Sequence, residues 1–172
     1  IMSRINTRGT DDAFNRLKEI QAWYEKVKAA GGEGKRFYRD YYANLGLPMQ
    51  GGNVAGGIGL DWEFLESSLM YSSVPLGFFG ISSDNYNELG ISPTLPTSLK
   101  WWKMENLTYR GVKYDLTIAK ESAIVSAVRG DTSGKKMKIS LDKPNGSFKV
   151  YYNGKSVAYQ TVGNKVTITV PM

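Results

Sequence analysis

The sequence predicts an α+β chain, with helices in its first half followed by an antiparallel β-sandwich. Two observations support this prediction. Apolar residues recur every three or four positions in the first half, whereas the second half contains short runs of β-branched and aromatic residues. Charge changes at the same place: residues 1–97 hold 9 Lys/Arg against 11 Asp/Glu, and residues 98–172 hold 13 against 5. We therefore predict a helical segment over residues 1–92 and a β-sandwich domain over residues 98–172.

The helical half contains three predicted helices. Thr10 is a suitable N-cap, and the two aspartates that follow it favour the positive end of a helix. The apolar face of this first helix comprises Ala13, Phe14, Leu17, Ile20, Tyr24 and Val27. The helix is expected to end at Gly31–Gly32. Shorter helices are predicted over residues 36–45 and 61–71, and Pro75 is expected to kink or end the last one.

The second half shows the alternation of strands and turns that is typical of an antiparallel sandwich or barrel. The predicted strands cover residues 107–118, 123–128, 137–141, 147–152, 157–162 and 165–170. Asn145–Gly146, Asn153–Gly154 and Gly163–Asn164 lie between the later strands, and such pairs favour tight hairpin turns.

Composition excludes several kinds of chemistry. The 172 residues include no His and no Cys, which excludes a Ser-His triad, an imidazole base, a Cys nucleophile and the usual zinc sites. Acid–base chemistry would have to use Asp, Glu, Lys or Tyr. No cofactor and no metal site is expected. The longest apolar run, residues 69–81, is interrupted by Pro75 and Gly77, so no membrane span is predicted.

The most unusual segment combines a glycine-rich loop with three carboxylates. Five glycines occur within residues 51–59, without the spacing of a phosphate-binding loop. Asp61, Glu63 and Glu66 follow. One of them can face a polar cavity as a general base; alternatively, Asp61 caps a helix and both glutamates lie near its positive end. Apolar neighbours such as Trp62 leave this helix little solvated surface, and a buried carboxylate needs a partner.

Aromatic and basic residues in the second half suggest two further surfaces. Trp101–Trp102 provides a ring for contact with carbohydrate, and adjacent strand residues point to opposite sides, so one ring at most faces outward. The alternative places one Trp in the core and the other at the domain seam. Lys135, Lys136 and Lys138 form the densest basic cluster, but the remaining lysines are scattered. Binding to nucleic acid is therefore not predicted.

Several segments resemble the C-terminal part of the large bacterial six-hairpin glycosidases, in which six helical hairpins form an (α/α)6 toroid around a sugar-binding cleft. They are RINT (4–7) with DDAFNRL (11–17), GGN (51–53), GGIGLD (56–61), EFLES (63–67) and VPLGFFGI (74–81). ISPTLP (91–96) with LTYRGVKYDL (107–116) is similar to the bridge into the small β-domain that follows the toroid in many of these enzymes.

The resemblance implies that the helices here are the end of a toroid acting on a carbohydrate. Such enzymes commonly invert the anomeric centre with one carboxylic acid and one carboxylate. Glu63 is then the first candidate for a catalytic group and Asp61 the second. The residues that would contact substrate are Gly52, Asn53, Trp62 and Glu66. The chain offers no clear second catalytic group, so the rest of the toroid is the expected partner. Export to the periplasm or the exterior of a bacterium is also expected.

Two other functions remain open on the sequence. The chain can be a non-catalytic carbohydrate-binding or cell-surface module that holds glycan through an exposed Trp or Tyr of its β-half. It can also be a scaffold or interaction domain with neither property, in which the glycine loop packs shut and backbone donors satisfy all three carboxylates.

Overall fold

A computed structural model describes residues 1–29 and 71–172. The chain divides into two units, one ending at Val74 and the other beginning at Pro75. Helices come first and sheets follow, which confirms the predicted α+β class. The glycine-rich loop, the helix predicted over residues 36–45 and nearly all of the helix predicted over 61–71 lie outside the described residues.

Two helices open the first unit. They are α1 (Met2–Arg8), which the sequence analysis did not predict, and α2 (Thr10–Ala29), which begins within one residue of the predicted start. Thr10 is its first helical residue instead of the predicted N-cap, because the carbonyl oxygen of Gly9 accepts the N–H of Ala13 at 3.2 Å. Gly9 separates them at φ 90°, in a region that favours glycine. The Nη1 atom of Arg4 lies 2.6 Å from a carboxylate oxygen of Asp12 and joins the two helices. Ala13, on the predicted apolar face of α2, is fully buried.

Helical residues 71–73 lead into a π-helical turn, Val74–Phe78. This is the position at which Pro75 was expected to kink or end the helix. Proline has no N–H to donate, so the regular α-helical hydrogen-bond ladder is interrupted there. Phe78 and Phe79 follow and are both fully buried.

Ten strands make up the rest of the second unit. They are β1 (Ile81–Asn85), β2 (Glu88–Ile91), β3 (Trp101–Tyr109), β4 (Val112–Ala119), β5 (Ser122–Arg129), β6 (Lys136–Asp142), β7 (Tyr151–Tyr152), β8 (Lys155–Ser156), β9 (Gln160–Val162) and β10 (Lys165–Pro171). The large sheet has the order β1-β2-β6-β10-β9 and the small sheet the order β3-β4-β5. β7 and β8 form a separate hairpin. Pairing is antiparallel except between β2 and β6, which are parallel.

The core lies on one face of each sheet. In the small sheet, β4 alternates buried and more accessible positions, with Val112, Tyr114, Leu116 and Ile118 all buried. In the large sheet, the register places apolar residues of β2, β6 and β10 side by side. A slip of one residue would turn these apolar sets toward solvent, so the alternation fixes the register. The hydroxyl of Tyr109 donates to the carbonyl oxygen of Tyr86 at 2.9 Å and links β3 to the β1–β2 turn.

Strand boundaries differ from the sequence prediction at several points. Of the strand predicted over 157–162, only Gln160–Val162 forms β9, and β3 begins at Trp101, six residues before the predicted start. β1 and β2 lie within residues 1–92, which were assigned to the helical segment. The strand predicted over 107–118 is interrupted by a turn at Arg110 and Gly111, whose φ angles of 48° and 80° suit a tight hairpin. Of the strand predicted over 147–152, only its last two residues form β7.

Candidate functional site

The carboxylate cluster that the sequence singled out lies outside the described residues. This applies to Asp61, Glu63 and Glu66, and equally to the expected substrate contacts Gly52, Asn53 and Trp62. Their roles therefore stay predictions. Within residues 1–29 and 71–172, the candidate functional groups lie in the β-sheet unit.

The two adjacent tryptophans of β3 point in opposite directions, as the strand period requires. The Trp102 ring packs against Phe78 and Phe79, with centroids 5.4 and 5.5 Å away. Trp101 is 62% exposed. At most one ring was expected to face outward, and this expectation is confirmed. An indole side chain buries 150–250 Å² when it enters a core, so exposing most of Trp101 forgoes roughly 2–4 kcal/mol of apolar burial.

Trp101 lies on the outward face of the small sheet, opposite the face that carries the buried residues of β4. The β-sheet register arranges this face in rows: Trp101 lies beside Ala119, which lies beside Ser122, and Lys103 lies beside Thr117, which lies beside Ile124. The side chains directly across from Trp101 are therefore small. We call this surface the Trp101 face. Its members are Trp101, Lys103, Glu105, Lys113, Asp115, Thr117, Ala119, Ser122, Ile124 and Ser126.

A group of charged side chains lies next to Trp101 on the same face. The Lys103 ammonium lies 2.6 Å from a Glu105 oxygen and 3.5 Å from an Asp115 oxygen. Asp115 also accepts the backbone N–H of Asn106 at 3.0 Å. Asn106 lies at a bulge of β3 with φ 57°, and this irregularity turns its N–H toward the carboxylate.

These contacts stabilise the charged forms of both groups. The Asn106 hydrogen bond, reinforced by Lys103 and Arg129, lowers the pKa of Asp115 from its ordinary value. The hydrogen bond to Glu105 raises the pKa of Lys103, and Asp115 adds to this effect. Both shifts favour the charged forms, so Lys103 offers a cationic donor and Asp115 an anionic acceptor beside the Trp101 ring.

A cleft of about 880 Å³ lies between the two sheets and the segment that follows β6. β6 and β10 provide a floor of five aliphatic side chains, Met137, Ile139, Leu141, Val166 and Ile168. β5 forms one wall, and Phe148, Tyr151 and Tyr152 form part of the other. Asp142 at its edge pairs with Lys165 at 2.9 Å. The cleft is suited to apolar groups, and its aliphatic floor offers no acid–base chemistry.

The remaining surface features give no further site. Within residues 1–29 and 71–172, no three His, Cys, Asp or Glu side chains are grouped as a metal site would need. None of the helices in these two ranges is long and apolar enough to cross a membrane. Of the basic cluster, Lys135 donates to the Asp131 carbonyl oxygen at 2.6 Å, while Lys136 and Lys138 are exposed on β6.

Comparison with known proteins gives one match. Residues 83–143 match the family model for the C-terminal domain of glycosyl hydrolase family 65. The matched region is about a third of the chain and covers most of β1 and all of β2 to β6. Neither the curated proteins nor the solved structures contain a match to the chain. The family match supports the assignment of this part of the chain as a glycosidase C-terminal β-sandwich.

Sequence reasoning identified the tryptophan pair but missed the charged cluster beside it. A signal was present, because Lys103 is two residues and Glu105 four residues from Trp101, so all three share one face of a strand. Asp115 was not detectable in this way. It joins the cluster only through the pairing of β3 with β4, a contact between residues that are distant in sequence.

Proposed function

We propose that this chain is the C-terminal part of a glycoside hydrolase that acts on an oligo- or polysaccharide. The match of residues 83–143 to a glycosyl hydrolase C-terminal domain is the observation that carries this proposal. The order of elements is consistent with it, since helices precede the sheets. The same proposal includes a toroid whose last helices come from residues 1–92, a bacterial source and export from the cytoplasm.

The proposed mechanism is inversion by two carboxyl groups. Glu63 is the preferred catalytic residue and Asp61 the second choice. In an inverting enzyme one carboxylic acid protonates the leaving oxygen, while a carboxylate on the other face of the sugar activates water. The second group comes from residues outside this chain, so the chain alone would be inactive. Gly52, Asn53, Trp62 and Glu66 are the proposed substrate contacts.

The test replaces Glu63 by Gln in the full-length enzyme that contains these residues. Gln keeps the size of the side chain but cannot exchange a proton. Loss of a general acid or base typically costs a factor of about 10² to 10⁴ in rate. We therefore expect hydrolysis of the best substrate to fall by at least a hundred-fold, with an unchanged melting temperature. Asp61→Asn is measured in parallel to decide between the two residues.

Glu19→Gln is the matched control, because it makes the same chemical change on α2. Glu19 is exposed and pairs with Arg16 at 2.9 Å, and the variant should keep full activity. Wild-type turnover in the Glu63→Gln enzyme would remove Glu63 from the mechanism. Absence of any glycosidase activity in the wild-type enzyme, tested over a panel of glycans, would contradict the proposal as a whole.

A further inference from the structure

We propose that the Trp101 face is a binding site for a neutral saccharide, separate from the catalytic carboxylates assigned above. The proposal relies on the proposed function for one point alone, the expectation that the ligand of this protein is a carbohydrate. Its geometric basis lies entirely within the small sheet and involves no residue of the helical unit.

The surface around Trp101 is open enough for a sugar ring to stack on the indole. One side of a sugar ring carries mainly C–H groups, which pack against the electron-rich face of an indole. Such stacking requires a ring that neighbouring side chains do not cover. Trp101 is 62% exposed, and its cross-strand neighbours in the same row, Ala119 and Ser122, are too short to enclose it.

Hydrogen-bonding groups lie next to the Trp101 ring. Lys103 is two residues from Trp101 on the same strand, an advance of about 7 Å, which is comparable with the size of one sugar unit. Lys103, Glu105 and Asp115 form an ionised group held together by contacts of 2.6 and 3.5 Å. Sugar hydroxyls both donate and accept, so a group with fixed charged donors and acceptors suits them.

The charge of the Trp101 face distinguishes a neutral saccharide from other ligands that contain a stacking ring. Residues 98–172 have 13 basic against 5 acidic groups, whereas the charges on and beside the Trp101 face are close to balance. Three cations, Lys103, Lys113 and Arg129, lie on or beside the face, against the two carboxylates of Glu105 and Asp115. A nucleic-acid site would instead present a basic groove beside its aromatic rings. The local balance of charge thus favours an uncharged polyhydroxyl ligand.

The experiment titrates the full chain with glucose, xylose and mannose hexasaccharides and follows the indole N–H signals by ¹H–¹⁵N NMR. The four tryptophans give separate signals, assigned with the Trp101→Ala and Trp102→Phe variants. We expect one neutral hexasaccharide to shift the Trp101 signal saturably. Trp101→Ala should lower the affinity at least ten-fold, and Trp101→Tyr, which restores a ring, should keep it within about three-fold of wild type.

Two matched controls distinguish binding at this site from non-specific binding elsewhere on the protein. Tyr151→Ala removes another aromatic ring with similar exposure, 58%, on the β7–β8 hairpin, and should leave binding unchanged. Glu63→Gln should also leave it unchanged, which separates this site from the proposed catalytic one. A charged hexagalacturonate should bind more weakly than the preferred neutral sugar.

Three results would overturn the proposal. The first is the absence of a saturable shift with every neutral sugar tested. The second is equal affinity of the wild-type and Trp101→Ala proteins. The third is a wild-type protein that sedimentation shows to be a dimer and that Trp101→Ala makes monomeric, without a sugar-dependent shift; the face would then bind a second copy. None of these results bears on turnover by the complete enzyme. The catalytic proposal is therefore tested separately, by the Glu63→Gln variant.

Discussion

Gly80 is the position where one added methyl group should damage the β-sheet unit most. It connects the π-helical turn to β1 at φ 60°, a conformation that side chains disfavour. Its carbonyl oxygen accepts the backbone N–H of Ser92 at 3.1 Å, which extends the β1–β2 pairing by one step. A Cβ at Gly80 would lie well inside contact distance of the Ser92 carbonyl oxygen. Gly80→Ala therefore requires the backbone to move.

The expected loss of stability combines two costs. The left-handed conformation costs an Ala residue about 1 kcal/mol relative to Gly. Displacing packed backbone to admit an extra carbon typically costs about 1–3 kcal/mol more. Gly80→Ala should then destabilise the unit by roughly 2–4 kcal/mol, which for a domain of this size lowers the melting temperature by roughly 10–30 °C.

Gly146→Ala isolates the first of these costs. Gly146 has φ 80°, and a Cβ there would meet no atom within 4 Å. Gly146→Ala should lower the unfolding free energy by about 1 kcal/mol and the melting temperature by roughly 4–8 °C. Both variants are compared with wild type by urea unfolding followed by far-ultraviolet circular dichroism. A difference between the two variants of less than about 0.5 kcal/mol, the usual error of additivity, would refute the steric argument.

Two further predictions use aromatic residues of the small sheet. Trp102→Ala removes the ring that packs on Phe78 and Phe79 and should lower the unfolding free energy by about 3–5 kcal/mol. Trp101→Ala should change the unfolding free energy by less than about 0.5 kcal/mol. Equal losses for the two variants in urea unfolding would contradict the assigned orientations of the rings. Burial, with a smaller effect of Tyr109, raises the pKa of Tyr114 to about 12. The unfolded chain releases this proton near pH 10, so stability should fall between pH 10 and 12, and Tyr114→Phe should lose less stability over that range in the same assay.

Much of the fold could be predicted because its signals are local. The start of α2 depends on Thr10 and the two aspartates that follow it, and β5, β6 and β10 were placed within one residue at each end. β1 and β2 escaped prediction because they are short and interrupted by polar residues, and because β2 is completed by parallel pairing with β6. The turn at Arg110 and Gly111 was missed because Arg is an unusual residue at positive φ.

The candidate site shows the same limit. The alternation of Trp101 and Trp102 was readable from the sequence, since neighbouring strand residues always point to opposite faces. Which of the two is exposed depends on Phe78 and Phe79, more than twenty residues away. The contact between Lys103 and Asp115 likewise requires two strands to be in register. Pairings between distant residues carry no signal in a single sequence.

The strand order of the large sheet has a consequence for biosynthesis. β10 lies between β6 and β9, and seven register pairs join it to β6. The ribosome makes the chain from its N-terminus, so β6 is complete before residues 165–171 exist. The edge of β6 that pairs with β10 therefore stays unpaired during this interval. Exposed strand edges are templates for pairing with other chains. Lys136, Lys138 and Asp142 are exposed on β6, and their charges discourage pairing with another chain until β10 is in place. These charges thus protect the nascent domain until β10 is made and pairs with β6.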